Sequence, residues 1–308
     1  MKKYISVDVG GTQIRVAIFG ENSIVPLVQK KIPTQGDNQT PIERIIALLK
    51  ELWPSDGEVN SIAIAAPGYL DPEKGIVLTA PNIPGWKNYP LASLLREHFD
   101  VPIYLGNDAN LAALGEWKFG AGRGHHDILF MTVSTGIGGG IISGDKLITG
   151  VNGMAGEIGH VVSVPDGPIC GCGKRGHLEA VASGTGIARH VREQLANGVP
   201  SVFPAGSSPS AKEIAQAAKN GDKLSKEAFD LAGFYLGRTV ADFLHILNPS
   251  ILILGGGVSM SGDLIIKPMK ESMAKHVIVP EYMDKLEIVQ AALGDDAGLL
   301  GALALSIK

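Results

Sequence analysis

A strand, a turn of small residues and a second strand occur twice in this chain. YISVDV, GGT and IRVAIF run between Tyr4 and Phe19, and ILFMTVS, TGIGGG and IIS between Ile128 and Ser143. Alternating β-branched residues on either side of a glycine turn form a hairpin. The same hairpin used twice calls for two cores on related plans, and 308 residues are enough to fill both. Helical periodicity over 41–53 and 91–99 alternates with the buried strand SIAIAAPG (61–68) and with VPIYLGND, which delivers Asn107 and Asp108 at its carboxyl end before the helix ANLAALGEWKFG. A capped helix over 183–198, a polar loop over 199–210 and two helices over 211–248 follow. A buried strand over 251–259, a strand over 286–291 and a terminal helix with an acidic start complete the chain. Strands alternating with helices specify α/β architecture, with ligands at the carboxyl ends of strands. We expect a smaller domain over 1–112, a larger one over 113–294, and the helix 295–308 packing back on the first.

Three glycine turns stand at strand ends. Asp8 precedes Gly10, Gly11 and Thr12; the second turn holds Thr135, Gly136 and Gly138; Gly255, Gly256 and Gly257 follow the apolar run ILIL. A turn without side chains lets backbone N–H groups approach a phosphate, and a carboxylate such as Asp8 can hold Mg²⁺ directly or through water. Each turn taken alone reads equally well as a plain hairpin. None carries the lysine of a P-loop, and none fits GxGxxG with an acidic residue downstream, so P-loop and Rossmann sites are disfavoured.

Both cysteines of the chain, Cys170 and Cys172, lie with His160 and His177 in GEIGHVVSVPDGPICGCGKRGHLE (156–179). Two thiolates and two neutral imidazoles make a complete tetrahedral set for a structural zinc with no open position. The plainer alternative is a small cysteine turn beside two histidines. The spacing is not that of a zinc finger, so the metal would staple a loop. A net charge of −4 gives no general attraction to nucleic acid or anionic membrane, and no apolar run approaches the roughly 18 residues of a membrane span. The amino terminus turns polar at Asp8, too soon for a signal peptide. Two cysteines suit a reducing compartment. We expect a soluble, cytoplasmic protein whose partners are small molecules.

The order DVGGT, AAPG, PNIPGW, NDAN, STGIGGG, GEIGH, CGCGKRGHLE and ILGGG spans the whole chain. In that order the motifs resemble the ROK family (repressors, open reading frames, kinases) of the actin-like ATPase and sugar kinase superfamily, and most closely its bacterial glucokinases. The resemblance implies two α/β domains around a cleft, ATP and Mg²⁺ held at the glycine turns, and a hexose near the hinge. It implies that Asp108 is the base that takes the proton of the sugar hydroxyl, a task in which positioning matters more than strong basicity. A carboxylate with an ordinary pKa near 3.9 would be ionised for this at pH 7. Read from its position alone, Asp108 could instead cap the helix that follows. The resemblance places Gly68, Asn82, Asn107, Glu157, His160 and Glu179 on the sugar. Glu157 and His160, three apart, face the same way on one helical turn, so His160 could give one nitrogen to zinc and the other to a hydroxyl. For Glu157 and Glu179 the alternative is a solvated surface pair. One departure stands out: the family's pattern has a cysteine where this chain has His177, which leaves Cys₂His₂ ligation. Family members are often dimers or tetramers, so a homo-oligomer is expected.

The activity implied is transfer of the γ-phosphoryl group of ATP to the 6-hydroxyl of a hexose, glucose first, with N-acetylglucosamine, N-acetylmannosamine or fructose as alternatives. A sugar-sensing repressor is disfavoured because the first glycine turn begins at residue 10, with no room before it for a DNA-reading helix pair.

Overall fold

The structure, a computed structural model, describes residues 2–36 and 38–307. Met1 and Lys308, which the sequence reading includes in the first domain and the last helix, lie outside the described residues. The chain runs β1 (Lys2–Val9), β2 (Gln13–Gly20), β3 (Pro26–Pro33), α1 (Pro41–Leu52), β4 (Glu58–Ala66), β5 (Tyr69–Asp71), β6 (Ile76–Thr79), β7 (Lys87–Tyr89), α2 (Leu91–Arg96), β8 (Ile103–Asn107) and α3 (Asp108–Phe119). It continues through β9 (Ile128–Val133), β10 (Ile137–Ser143), β11 (Lys146–Leu147), α4 (Leu178–Ala182), α5 (Gly184–Ala196), α6 (Ala211–Lys219) and α7 (Lys223–Leu247). β12 (Ile251–Gly255), α8 (Asp263–His276), α9 (Glu281–Asp284), β13 (Glu287–Gln290) and α10 (Ala297–Ser306) close it.

The two hairpins seed two sheets of the same plan, ordered β3-β2-β1-β4-β8 and β11-β10-β9-β12-β13. In each, the hairpin is antiparallel and the later strands join in parallel. A three-stranded sheet, β5-β6-β7, stands apart. β1 alternates: Ile5, Val7 and Val9 enter the core under α1, whereas Tyr4 packs on the opposite face with Phe19, Leu299 and Leu303. The second half fills around Leu129, Met131, Val133, Phe229 and Leu252, covered by α5, α7 and α8.

α10 bears apolar residues on all sides, as a helix enclosed by protein must. It lies between α3 and the strands β1 and β4. Its crossing with α3 is close enough to require two glycines. A β-carbon on Gly115 would stand 2.9 Å from the Ala297 carbonyl oxygen, and one on Gly301 would overlap the Leu111 carbonyl oxygen. Backbone cannot yield as a side chain would, so Gly301→Ala is expected to cost at least the upper end of the ~1–3 kcal/mol typical of overpacking. Guanidinium unfolding would measure it, and an unchanged midpoint would show that α3 and α10 can slide apart freely.

Candidate active site

The carboxyl ends of β1, β9 and β12 open on one cavity of about 950 Å³. Its lining includes Asp8, Asp108, Thr135, Gly136, Gly138 and all of Gly255 to Gly257. The turn Gly10–Gly11–Thr12 is not part of that lining. It is fixed by Thr34, whose Oγ1 donates to the Gly10 carbonyl at 2.6 Å and whose N–H donates to the Thr12 carbonyl at 2.9 Å. Asp8 does not stand alone. Arg15, directly opposite on β2, donates to Asp8 Oδ2 from Nη2 and, at 3.1 Å, from Nε. Burial nevertheless outweighs this guanidinium and holds the Asp8 carboxyl above its ordinary range.

Asp108 is the first residue of α3, but the cap is its neighbour. Asn107 Oδ1 accepts from the N–H groups of Ala109 and Asn110, each at 3.0 Å, so the capping alternative for Asp108 falls away. Asp108 Oδ1 accepts from the Ala109 N–H at 2.8 Å. The expectation of an ordinary carboxylate is corrected too: burial, reinforced by the negative charges of Asp8 and Glu157, pushes Asp108 up to about 6 despite that hydrogen bond. A helix N-terminus favours an anion by only ~0.3–1 kcal/mol, too little to offset a shift worth about 3 kcal/mol.

Several expected sugar contacts come together beyond Asp108. Asn107 Nδ2 donates to the Gly68 carbonyl at 3.1 Å. Gly68 has φ +87° and a β-carbon there would overlap the Thr79 carbonyl oxygen, so both conformation and space demand glycine. Asn82 is exposed beside the first glycine turn, where a β-carbon on Gly11 would meet Asn82 Cβ at 3.0 Å. Glu157 precedes the short 3₁₀ turn Ile158–His160, and its Oε2 is 3.8 Å from His160 Nε2. Burial raises the Glu157 carboxyl, with His160 opposing and Glu179 adding. Glu179, on the first turn of α4, accepts from the Ile137 N–H at 3.0 Å through Oε2 and lies 3.2 Å from Cys170 Sγ through Oε1. Both acids are half-buried and partnered, not a fully solvated pair.

His160, Cys170, Cys172 and His177 place their donor atoms within 4.8 Å of one another. The two Nδ1 atoms are 3.2 Å apart, Cys172 Sγ is 3.2 Å from His177 Nδ1, and Cys170 Sγ is 3.7 Å from His160 Nδ1. A tetrahedral zinc with Zn–N near 2.0–2.1 Å and Zn–S near 2.3 Å has N···N edges of about 3.3 Å and N···S edges of about 3.6 Å. The residues fit that ion. Burial lowers His177, with His160 adding, which keeps the imidazole neutral. In the bare chain burial pushes the Cys170 thiol up to about 12, with Glu179 adding; a thiolate there calls for a cation. His160 turns Nδ1 to this cluster, whereas Nε2, expected on a sugar hydroxyl, faces Glu157.

Other residues at the site escaped the sequence reading. Ser259 and Gln290 close the cavity wall, Gln290 Nε2 donating to the Ser259 carbonyl at 3.2 Å. Glu116, fully buried, accepts from the N–H groups of Ala121 and Leu293, both at 2.8 Å, and so ties the end of α3 to the segment leading into α10. A hairpin register counted out from the Gly10–Gly11 turn would have found Arg15 opposite Asp8. Nothing local marks Gln290, which reaches the cavity only because β13 pairs with β12.

Two like sheets and a cleft lined by glycine turns and a half-buried aspartate define the two-domain actin-like ATPase fold in the form used by sugar kinases. The ROK family model matches residues 4–308, and the chain belongs to the ROK family. A glucokinase of Thermotoga maritima is 40% identical, with 98% of this chain and 96% of that protein covered. An N-acetylmannosamine kinase of Escherichia coli is 33% identical over 98% and 97%. Among solved structures, a ROK family glucokinase from Streptomyces griseus in complex with glucose and AMPPNP superposes with a TM-score of 0.79 at 36% identity, with 98% of each chain covered.

Proposed function

We propose that this protein is an ATP-dependent hexokinase that phosphorylates glucose at its 6-hydroxyl. The observation that carries the reading is Asp108, seated where the glycine-lined cavity meets Asn107, Gly68 and Glu157. The sugar oxygen attacks the γ-phosphorus, the bond to the β–γ bridging oxygen breaks, ADP leaves, and the hydroxyl proton passes to Asp108. N–H groups of the turn at 135–138 take the phosphates, the turn at 10–12 standing outside the cavity lining; Gly255 to Gly257 lie against the nucleoside, and Asn82, Asn107, Glu157, His160 and Glu179 clamp sugar hydroxyls. Mg²⁺ offsets phosphate charge when bound. Arg15 occupies Asp8 Oδ2, so Oδ1 would hold the ion directly or through water. His160, Cys170, Cys172 and His177 would hold one structural zinc. We place the protein in the cytoplasm, where ATP and a thiol-preserving environment coincide; among the described residues no helix is long and apolar enough to cross a membrane. A homo-oligomer follows from the family resemblance. We divide the chain into 1–112, with helix 295–308 packed back on it, and 113–294; α10 lying on β1 and β4 supports the return of that helix.

The 33% identity to N-acetylmannosamine kinases favours an N-acetylhexosamine as second reading. An ADP-release assay with MgATP across glucose, mannose, fructose, N-acetylglucosamine and N-acetylmannosamine tests both: glucose should lead, and turnover on none of them would reject the kinase. The same assay carries a pH prediction. With Asp108 at about 6, roughly 90% is ionised at pH 7, and kcat/KM should fall about ten-fold per unit as pH drops below 6. An acid limb starting near 4 would show that the carboxyl is not raised.

A further inference from the structure

Glu179 lies nearer the nucleotide turn than a sugar contact needs to. Its Oε2 accepts from the Ile137 N–H at 3.0 Å, and Ile137 follows Thr135 and Gly136 in the second glycine turn. The same stretch is held a second time: the N–H of Gly184 donates to the Ser134 carbonyl at 2.7 Å, and Thr185 Oγ1 donates to the Thr135 carbonyl, also at 2.7 Å. Both partners sit at the start of α5, immediately after the short α4 that bears Glu179 and is preceded by His177. The turn through which phosphates would be bound is thus fastened to the segment that begins at the metal cluster, and Glu179 lines the cavity beside it.

We infer that Glu179 is a positioning residue for the nucleotide: it fixes the Ser134–Ile137 turn so that the N–H groups of that turn are set for phosphate before ATP arrives. A bare glycine turn loses more conformational freedom on ordering than any other, and a ligand that must order its own site loses affinity by the population it must select. A charge-assisted bond from a carboxylate to a backbone N–H is strong enough to do that ordering. Its other oxygen, 3.2 Å from Cys170 Sγ, remains on the side of the metal cluster and Glu157. With Glu179 also on the sugar, as proposed above, sugar and nucleotide would be felt in common through one carboxylate. This rests on the kinase reading above.

The test is AMP-PNP binding by calorimetry with Mg²⁺ and no sugar, on zinc-replete protein, beside amide exchange at Ile137. Glu179→Ala and Glu179→Met, the latter filling the same length without an acceptor, should each weaken AMP-PNP about ten-fold, ~1.4 kcal/mol, and speed exchange at Ile137. Glu179→Gln keeps a carbonyl for that N–H and should stay within about three-fold of the parent. Folding and zinc content are checked for each, and Met serves if Ala does not fold. A parent that fails to bind AMP-PNP overturns the kinase reading and this inference together. A parent that binds, with Ala or Met variants that bind as tightly and exchange as slowly, overturns this inference alone.

Discussion

Asp108→Asn is expected to lower kcat for glucose phosphorylation by about 10²–10⁴ while making the protein more stable, not less. The two effects have one cause. Burial raises the carboxyl to about 6, so the folded chain holds the proton more tightly than the unfolded chain, whose carboxyl titrates near 3.8. For an aspartate raised in this way, stability falls as pH rises from about 4 through 6, and at pH 7 the ionised form costs up to about 3 kcal/mol. Asn removes the charge and keeps an oxygen for the Ala109 N–H. Stability should rise at pH 7 and change little at pH 4, whereas glucose affinity should remain within a few-fold. A variant that turns over within a few-fold of the parent would remove Asp108 as base. One that is inactive and destabilised would point to a structural role instead.

Cys170→Ser should take the protein from about one zinc per chain to nearly none. Of the two thiols Cys170 is the buried one, and serine supplies no soft donor at that depth. A metal present at about 1,000 times its dissociation constant stabilises by ~4 kcal/mol, which in a chain of this size corresponds to roughly 8 °C in Tm. Turnover should fall with it, since His160 loses the partner that fixes its ring toward Glu157. Metal analysis beside calorimetry decides: full zinc content in Cys170→Ser would dissolve the Cys₂His₂ site without touching the kinase assignment.

Much of this architecture is legible in local patterns, because hairpins and capped helices are set by neighbours in sequence. The glycine turns, the α5 cap at Ser183 and the strand that delivers Asn107 are of that kind. Features set by distant neighbours are not. α8 carries Pro268 inside it, which argues against a helix, and only its packing on Gly233 of α7 shows how the ring is accommodated. The raised carboxyl of Asp108 is set by burial first and then by Asp8 and Glu157, which are far away in sequence. The cap falls at Asn107 rather than Asp108 because the helix starts at Asp108, one residue earlier than the pattern ANLAALGEWKFG suggested. The donors of His160, Cys170, Cys172 and His177 come together as four residues of the right type in a short run suggest, because a glycine-rich loop of that length can close on itself.

The close seat of α10 has a consequence for how the molecule is made. Tyr4, Ala17, Phe19, Ala63 and Ala65, all from the first sheet, are roofed by Leu299, Leu303 and Ala302 of α10, which comes after every other element described. Until α10 has been made, α3 can cover Ala63 and Ala65 through Leu111 and Leu114, but Tyr4, Ala17 and Phe19 lack the leucines that roof them. The first half to emerge must therefore wait, with part of one side of its sheet uncovered, until α10 has been made and can settle between Gly115 and the early strands.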